Sequence, residues 1–324
     1  MGLILLLGPM DALVRERLAR FGEIVELEPG DRGPLERALP DTVAIAARAS
    51  ALVDASVIDA APGLRVIGRS GVGVDGVDVA AATRRGIPVV ITPTAGTNAV
   101  AEGALALILH LAKRLGRLTQ LVREGGWAAR EELALADLDG STLGIVGYGR
   151  VGRRLGELAT ALGMRLLAYD PYAEVEPELA VAELPDLVAR ADVLSLHAPL
   201  TPETRGLVGA ALLAHVKPGC LLVNCGRGGL LDLDAAYEAL LDGRLAGVGL
   251  DVFEPEPPRG HPLFHHPDVV LTPHVLGLTP RARRLLFEEM AAGMAAVLDG
   301  RRAPSVANPE VYGSTDGRAG QHIV

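Results

Sequence analysis

Cysteine is nearly absent from this 324-residue chain: Cys220 and Cys225 are the only two, without C-x-x-C spacing. That excludes a disulfide framework of the secreted kind and points to reduced thiols in a cytosol. Aromatic residues make up 3% of the sequence, with Trp127 the single tryptophan. Few rings are left to stack on bases or sugars, and the cores must be aliphatic and alanine-rich. Positive charge is not in surplus either; the formal net charge of −9 argues against a nucleic-acid surface. Long uncharged apolar runs are missing. The best candidate, Ala99 to Ala112, is too short to span a bilayer, and Gly2 to Leu7 lacks a cationic leader and the length of a signal-peptide core. The expectation is a cytoplasmic protein with no membrane or nucleic-acid partner. What remains is 49% apolar residues in a chain with room for about two domains.

Glycine, by contrast, is plentiful, and one stretch uses it in a pattern. Leu143 to Gly152 holds Gly147, Gly149 and Gly152 in G-x-G-x-x-G spacing. Alone the pattern is weak, since a tight strand-to-helix turn explains it without a ligand. Its surroundings decide the reading. Ser141 to Val146 is β-prone and apolar, and Val151 to Leu162 has apolar residues at helical spacing with Gly163 as a stop. Met164 to Tyr169 is a second strand, ending in Asp170, 18 residues past Gly152. In such a βαβ unit the first glycine permits the turn, the second lets the backbone approach a pyrophosphate, and the third lets helix pack on strand. The helix start then offers unpaired N–H groups to the diphosphate. An acidic group after the second strand accepts hydrogen bonds from ribose hydroxyls and repels a 2′-phosphate, so Asp170 favours NAD over NADP. The plainer alternative is that Asp170 caps a loop.

Upstream, Leu3 to Leu7, Ile24 to Leu27, Val43 to Ala47, Leu64 to Arg69 and Pro88 to Ile91 read as strands with helical or turn segments between them. Asn98 to Arg117 reads as one long helix crossing into the nucleotide domain, followed by an irregular arm around Trp127 that suits a subunit interface. Downstream, Val193 to Leu196, Cys220 to Asn224, Gly247 to Leu250 and Val269 to Thr272 read as strands. Each ends in polar residues, where open parallel sheets put their ligands. Pro280 to Leu298 is a final helix, and Val311 to Val324 a loose polar tail. The fold class is α/β, with two Rossmann-like doubly wound parallel-sheet domains. A substrate or lid domain is expected over 1–98 plus 279–324, with an NAD-binding domain over 99–278 inserted into it.

At this point the sequence resembles the NAD-dependent D-2-hydroxyacid dehydrogenases, in particular the branch containing D-3-phosphoglycerate dehydrogenase, without the regulatory domain many of that branch add. The resemblance runs from about Val43 to Glu310. It is carried by Ile67 to Asp75, the glycine fingerprint with Tyr169-Asp170-Pro171-Tyr172, His197-Ala198-Pro199-Leu200-Thr201, Asn224 to Gly229, Asp251 to Pro257, and Thr272-Pro273-His274. It implies a catalytic set of Arg227, Glu256 and His274, Glu256 being chosen over Glu254 because it directly precedes the proline pair. Asp251 would hold the nicotinamide carboxamide, with Thr97, Gly147, Gly149, Arg150, Val151, Gly152, Asp170, His197, Pro199, Thr204 and Cys225 also contacting NAD. The amides of Val72 and Gly73 would take the substrate carboxylate, and Arg48 matches an arginine that handles phosphate. A homodimer is the implied assembly.

The chemistry needs these types. Oxidising a 2-hydroxy acid sends a hydride to the nicotinamide while a base removes the hydroxyl proton, and an imidazole titrates in the right range. A neighbouring carboxylate favours the imidazolium and fixes the ring. Planar paired donors on arginine orient a carboxylate. His261, His265 and His266 cluster in a proline-rich stretch and read as a surface loop, so no metal is expected. Cys225 reads as a wall residue without a base to activate it. Some positions depart from the pattern: Gly96 stands where many relatives have Asn, Gly103 where they have His, Ala49 follows Arg48 in place of Ser, and Leu276 stands where small residues are usual. The expected function is hydride transfer between NAD(H) and a small D-2-hydroxy or 2-oxo acid, of the 3-phosphoglycerate, hydroxypyruvate or glyoxylate class. The alternatives are an NAD(H)-sensing, corepressor-like binding protein and phosphite dehydrogenase-type oxidation.

Overall fold

A computed structural model of the chain describes residues 2–28, 30–48 and 51–313. Of the loose tail expected over Val311 to Val324, the part from 314 on lies outside the described residues, as does Ala49; Val311 and Tyr312 instead belong to a 3-10 turn, Pro309–Tyr312, and the Tyr312 hydroxyl accepts from Ala303 N–H at 3.0 Å. The chain forms two compact units. One holds Thr97–Gly277 and the other the described residues on either side of it, so the changeovers fall at Gly96/Thr97 and Gly277/Leu278.

The flanking unit begins with β1 (Gly2–Leu7), α1 (Ala12–Leu18), β2 (Gly22–Leu27), α2 (Arg32–Ala38) and β3 (Thr42–Ala47). It continues through α3 (Ala55–Asp59), β4 (Val66–Arg69), α4 (Val79–Arg84) and β5 (Val89–Val90). The five strands pair in the order β2-β1-β3-β4-β5, all parallel. Side chains alternate between the two faces of a strand. Ile4, Leu6, Ala44, Ala46 and Val66 therefore join one buried cluster, while Leu5, Leu7, Ile45, Ala47 and Ile67 join another. A strand buried on both faces needs apolar residues at every position, which is why these runs show no polar alternation.

The central unit contains α5 (Thr97–Ala112), α6 (Leu115–Arg123), β6 (Thr142–Val146), α7 (Arg150–Ala161) and β7 (Arg165–Tyr169). It then runs through α8 (Leu184–Arg190), β8 (Val193–Leu196), α9 (Ala210–Leu213), β9 (Cys220–Asn224), α10 (Leu233–Leu241), β10 (Leu245–Leu250) and β11 (Val269–Leu271). Its parallel sheet has the order β11-β10-β9-β8-β6-β7. Leu107, Ile108 and Leu111 of α5 and Leu155 and Ala159 of α7 cover the face made by Leu143, Ile145, Val193, Leu221 and Val223. Leu187 and Val188 of α8 and Ala236 and Ala239 of α10 cover the face made by Val146, Leu194, Leu196, Leu222, Val248 and Leu250. Burying each leucine, isoleucine or valine among them contributes about 1.5–3 kcal/mol. The chain closes with α11 (Pro280–Leu298), which packs in the flanking unit through Leu286, Phe287, Met290 and Met294.

The helix expected over Asn98 to Arg117 is two helices. Arg114 takes a left-handed conformation, φ 47°, between α5 and α6. Its guanidinium bonds Asp268 Oδ1 at 2.7 Å and the Ala134 carbonyl at 2.9 Å, while Arg117 reaches Asp268 Oδ2 at 2.6 Å. Local composition favours helix throughout; the clasp on the largely buried Asp268, a tertiary interaction, turns the chain. The end of α7 follows the sequence directly. Gly163 is left-handed, φ 81°, and the Met164 N–H donates to the Ala159 carbonyl in a Schellman closure. Among the described residues no helix is long and apolar enough to cross a membrane.

Candidate active site

The register of the central sheet builds the site. Tyr169, Val146, Leu196, Asn224, Leu250 and Leu271 are successive register partners, and each ends its strand. The residues that follow therefore form one row along the carboxyl edge: Asp170, Gly147, His197, Cys225, Asp251 and Thr272. Backbone hydrogen bonds step across this row, from Gly147 N–H to Tyr169 O, His197 N–H to Val146 O, Cys225 N–H to Leu196 O, Asp251 N–H to Asn224 O and Thr272 N–H to Leu250 O. The strand order reverses between β6 and β8, and that is where a crevice opens in such sheets.

Gly147 and His197 meet at this switch point. Gly147 has φ 90°, and a Cβ there would lie 2.5 Å from the Ala198 nitrogen. A Cβ on Gly152 would run into the Gly147 carbonyl. Gly149, with φ −76° and ψ −157°, has an extended conformation open to any residue; lacking a side chain, it keeps the head of α7 accessible. Arg150 and Val151 are the first two residues of that helix. Asp170 accepts from Tyr148 N–H at 2.8 Å on one oxygen, and from Tyr172 and Ala173 N–H, both at 2.9 Å, on the other. It thus caps a loop and also ties the glycine turn to the end of β7; Oδ2, with a single donor, keeps a further lone pair. His197 Nε2 lies 2.8 Å from the buried Ser195 hydroxyl, while Nδ1 is buried with no hydrogen-bond partner. Desolvation lowers the imidazole from 6.5 to about 4, so the ring is neutral near pH 7. Loop glycines, an open helix head, a paired carboxylate and an orphaned buried nitrogen on one edge fit a dinucleotide.

Further along the edge, Asp251 is buried and accepts on Oδ1 from the Thr272 hydroxyl at 2.6 Å and from Val275 N–H at 3.0 Å. Burial pushes its carboxyl up, against the pull of those two donors. His274 follows two residues after Thr272 with φ 51°, and its Nδ1 lies 2.7 Å from Glu256 Oε2. The other oxygen of Glu256 accepts from Phe253 N–H at 3.0 Å. Glu254 pairs instead with Arg205, at 2.7 Å. Arg227 is held from behind: Asn224, fully buried, donates to the Arg227 carbonyl and accepts from Gly226 N–H. A Cβ on Gly228 would overlap the Phe253 backbone, and one on Gly229 would overlap the Glu254 carboxylate. The Arg227 loop and the Glu256 loop are thereby interlocked.

Other expected residues have narrower settings. The Thr204 hydroxyl donates to the Pro199 carbonyl and accepts from Thr201 N–H, both at 2.7 Å, so it shapes the loop after β8. Burial, followed by the charge of Asp251, pushes the Cys225 thiol far up, the state of a wall residue and not of a nucleophile. Thr97 opens α5. His261 accepts from Leu263 N–H on Nδ1, reaches Asp234 through Nε2 at 3.1 Å, and packs against Tyr237 and Phe264. Thr272 and Asn224 were not singled out as site residues by sequence reasoning. Their position after or at a strand end is visible in the sequence, but their partners are not.

In the flanking unit, Arg48 follows β3 at that sheet's own order reversal. Its backbone N–H donates to Leu7 O, its guanidinium bonds Pro9 O at 3.1 Å, and it lies 5.6 Å from the Phe287 ring centre. Burial, then the charge of Arg283, lowers its pKa. Val72 and Gly73 lie in the loop after β4, where Val72 is 41% exposed and Gly71 N–H turns back onto the Arg69 carbonyl.

The chain is similar to known proteins over most of its length. Residues 105–275 match the family model described as the NAD binding domain of D-isomer specific 2-hydroxyacid dehydrogenase. The chain is 38% identical over 305 residues to D-3-phosphoglycerate dehydrogenase of Mycobacterium tuberculosis, covering 92% of this chain and 58% of that protein. It thus spans little more than half the length of the curated relatives it matches. The crystal structure of TT0316 protein from Thermus thermophilus superimposes with a TM-score of 0.87 at 38% identity, covering 94% of this chain and 99% of that one. A glyoxylate reductase structure from Paecilomyes thermophila gives 0.87 at 30% identity, covering 95% and 98%. The chain belongs to the D-isomer specific 2-hydroxyacid dehydrogenase family, and its central unit carries that family's NAD-binding domain.

Proposed function

We propose that the protein interconverts a small D-2-hydroxy acid and its 2-oxo acid with NAD(H), using His274 as acid and base. The observation that carries this reading is the His274–Glu256 contact at 2.7 Å, on the same edge as Asp251 and the glycine turn. Bound NAD would supply the hydride acceptor for oxidation, and NADH the donor for reduction. With Nδ1 engaged by Glu256, Nε2 is the nitrogen left to take the hydroxyl proton or return it. Glu256 offsets the imidazolium charge and holds the ring, its own carboxylate steadied by Phe253 N–H. Arg227 orients the substrate carboxylate and polarises the carbonyl oxygen through paired donors. Asp251 would hold the nicotinamide carboxamide, the pyrophosphate would lie against Gly149, Arg150 and Val151, and Asp170 would accept from the ribose hydroxyls.

Within the same proposal, the Val72 and Gly73 amides take a substrate carboxylate, and the candidates are 3-phosphoglycerate, hydroxypyruvate and glyoxylate; of these only 3-phosphoglycerate brings a second anionic group for Arg48 to take. A homodimer joined through α6 and the segment after it is also part of the reading. Val122 is 61% exposed and Trp127 64%, apolar surface of the kind that subunit contacts cover. A cytoplasmic location accompanies it. The test is loss of NADH absorbance with a panel of glyoxylate, hydroxypyruvate, phosphohydroxypyruvate, pyruvate and bulkier branched 2-oxo acids. Turnover on a member supports the proposal; silence across the panel, with NADH still bound, would sink it.

A further inference from the structure

We propose that Leu276 is a positioning residue, locked into a notch that Gly103 leaves on α5, and that this lock holds His274 in the turn from which it reaches Glu256. The His274 side chain is 48% exposed, so packing of the imidazole itself does little to fix it. Its backbone is left-handed, which costs a non-glycine residue about 1 kcal/mol or more and persists only where neighbours enforce it. On the near side the enforcement is polar, through Asp251, Thr272 and Val275 N–H.

On the far side it is steric. A Cβ built on Gly103 would lie 2.8 Å from Leu276 Cβ, 2.8 Å from Cδ1 and 3.0 Å from Cδ2. The obstruction includes the first side-chain carbon, which no rotamer change can move, so a methyl group at 103 must displace the loop backbone. One turn earlier on α5, Val100 Cγ2 stands 3.3 Å from where a Gly277 Cβ would be, so the loop lies along the helix for a full turn. Val275, between His274 and Leu276, is 41% exposed, while Leu276 packs against the cluster of Leu107, Ile108 and Leu111. Glycine inside a helix costs roughly 1 kcal/mol relative to alanine. Here it leaves room for a side chain from the catalytic loop. The two departures, Gly103 and Leu276, are one device: a hole on the helix and a knob on the loop.

The kinetic arm of the test rests on the dehydrogenase reading; the other arm does not. Amide hydrogen exchange of Val275 and kcat are compared in the full chain for Gly103→Ala, Leu276→Gly and the double variant. Each single change is expected to speed Val275 exchange about tenfold or more and to lower kcat by a similar factor, with the NADH Kd within about twofold. The double variant, in which the methyl at 103 enters the space vacated at 276, should lose much less than the product of the two single losses. If Gly103→Ala fails to fold, Leu276→Met, which keeps the knob, should match the parent while Leu276→Ala exchanges faster. Single variants indistinguishable from the parent, or a double variant whose losses simply multiply, would overturn the proposal. A parent silent with every 2-oxo acid would sink the dehydrogenase reading and leave the exchange comparison to decide this one.

Discussion

His274 Nδ1 lies 2.7 Å from Glu256 Oε2, although 18 residues separate them and each is on its own loop beyond a strand end. Two separate supports bring them together. Asp251 gathers Thr272 and Val275 on either side of His274, while Phe253 N–H takes the second oxygen of Glu256. The pair is therefore built by the edge of the sheet and not by a local motif.

The interlock between the Arg227 loop and the Glu256 loop gives a first prediction. Gly228→Ala places a methyl group into the Phe253 backbone, where no side-chain movement relieves it. Overpacking of this kind costs about 1–3 kcal/mol. Thermal unfolding should shift down, and kcat should fall further than for Arg227→Lys, because Arg227 and Glu256 are displaced together. A variant with the parent's melting temperature and turnover would show that the loops slide freely.

Much of this was legible in the sequence, and the exceptions have physical causes. The glycine turn, the strands and the polar residues at their ends follow from short-range periodicity and from the strand-to-helix placement of Gly147, Gly149 and Gly152. The alignment of Asp170, Gly147, His197, Cys225, Asp251 and Thr272 in one row does not, because it depends on the register of six strands. The break at Arg114 was hidden for the same reason: Asp268, which fixes it, lies more than 150 residues away. Gly103 and Leu276 each stood out as a departure, yet only the fold shows that they touch.

Asp170 yields a second prediction. Its carboxylate already accepts three backbone N–H groups, so removing it loosens the glycine turn as well as the proposed ribose site. Asp170→Ser should reduce the preference for NADH over NADPH by about tenfold or more, together with a modest loss of NADH affinity. An unchanged preference would mean that another group reads the ribose.

The pH dependence of stability follows from His197. Its folded-state value, about 4, is below the ordinary 6.5. The unfolded chain therefore takes up a proton first as pH falls, and the stability this ring confers is complete above about 6.5 and lost on the way down to 4. Denaturant unfolding at pH 4 should show a loss on the order of 3 kcal/mol attributable to this group, absent in His197→Gln. Parallel pH profiles for the two proteins would contradict the burial of a neutral imidazole.

The most direct test of the account is His274→Gln, assayed beside the parent with whichever 2-oxo acid turns over, with NADH Kd measured on both. Loss of the acid and base should lower kcat by about two orders of magnitude or more while the NADH Kd stays within about twofold. Equal turnover in the two proteins would contradict the assignment of proton transfer to His274.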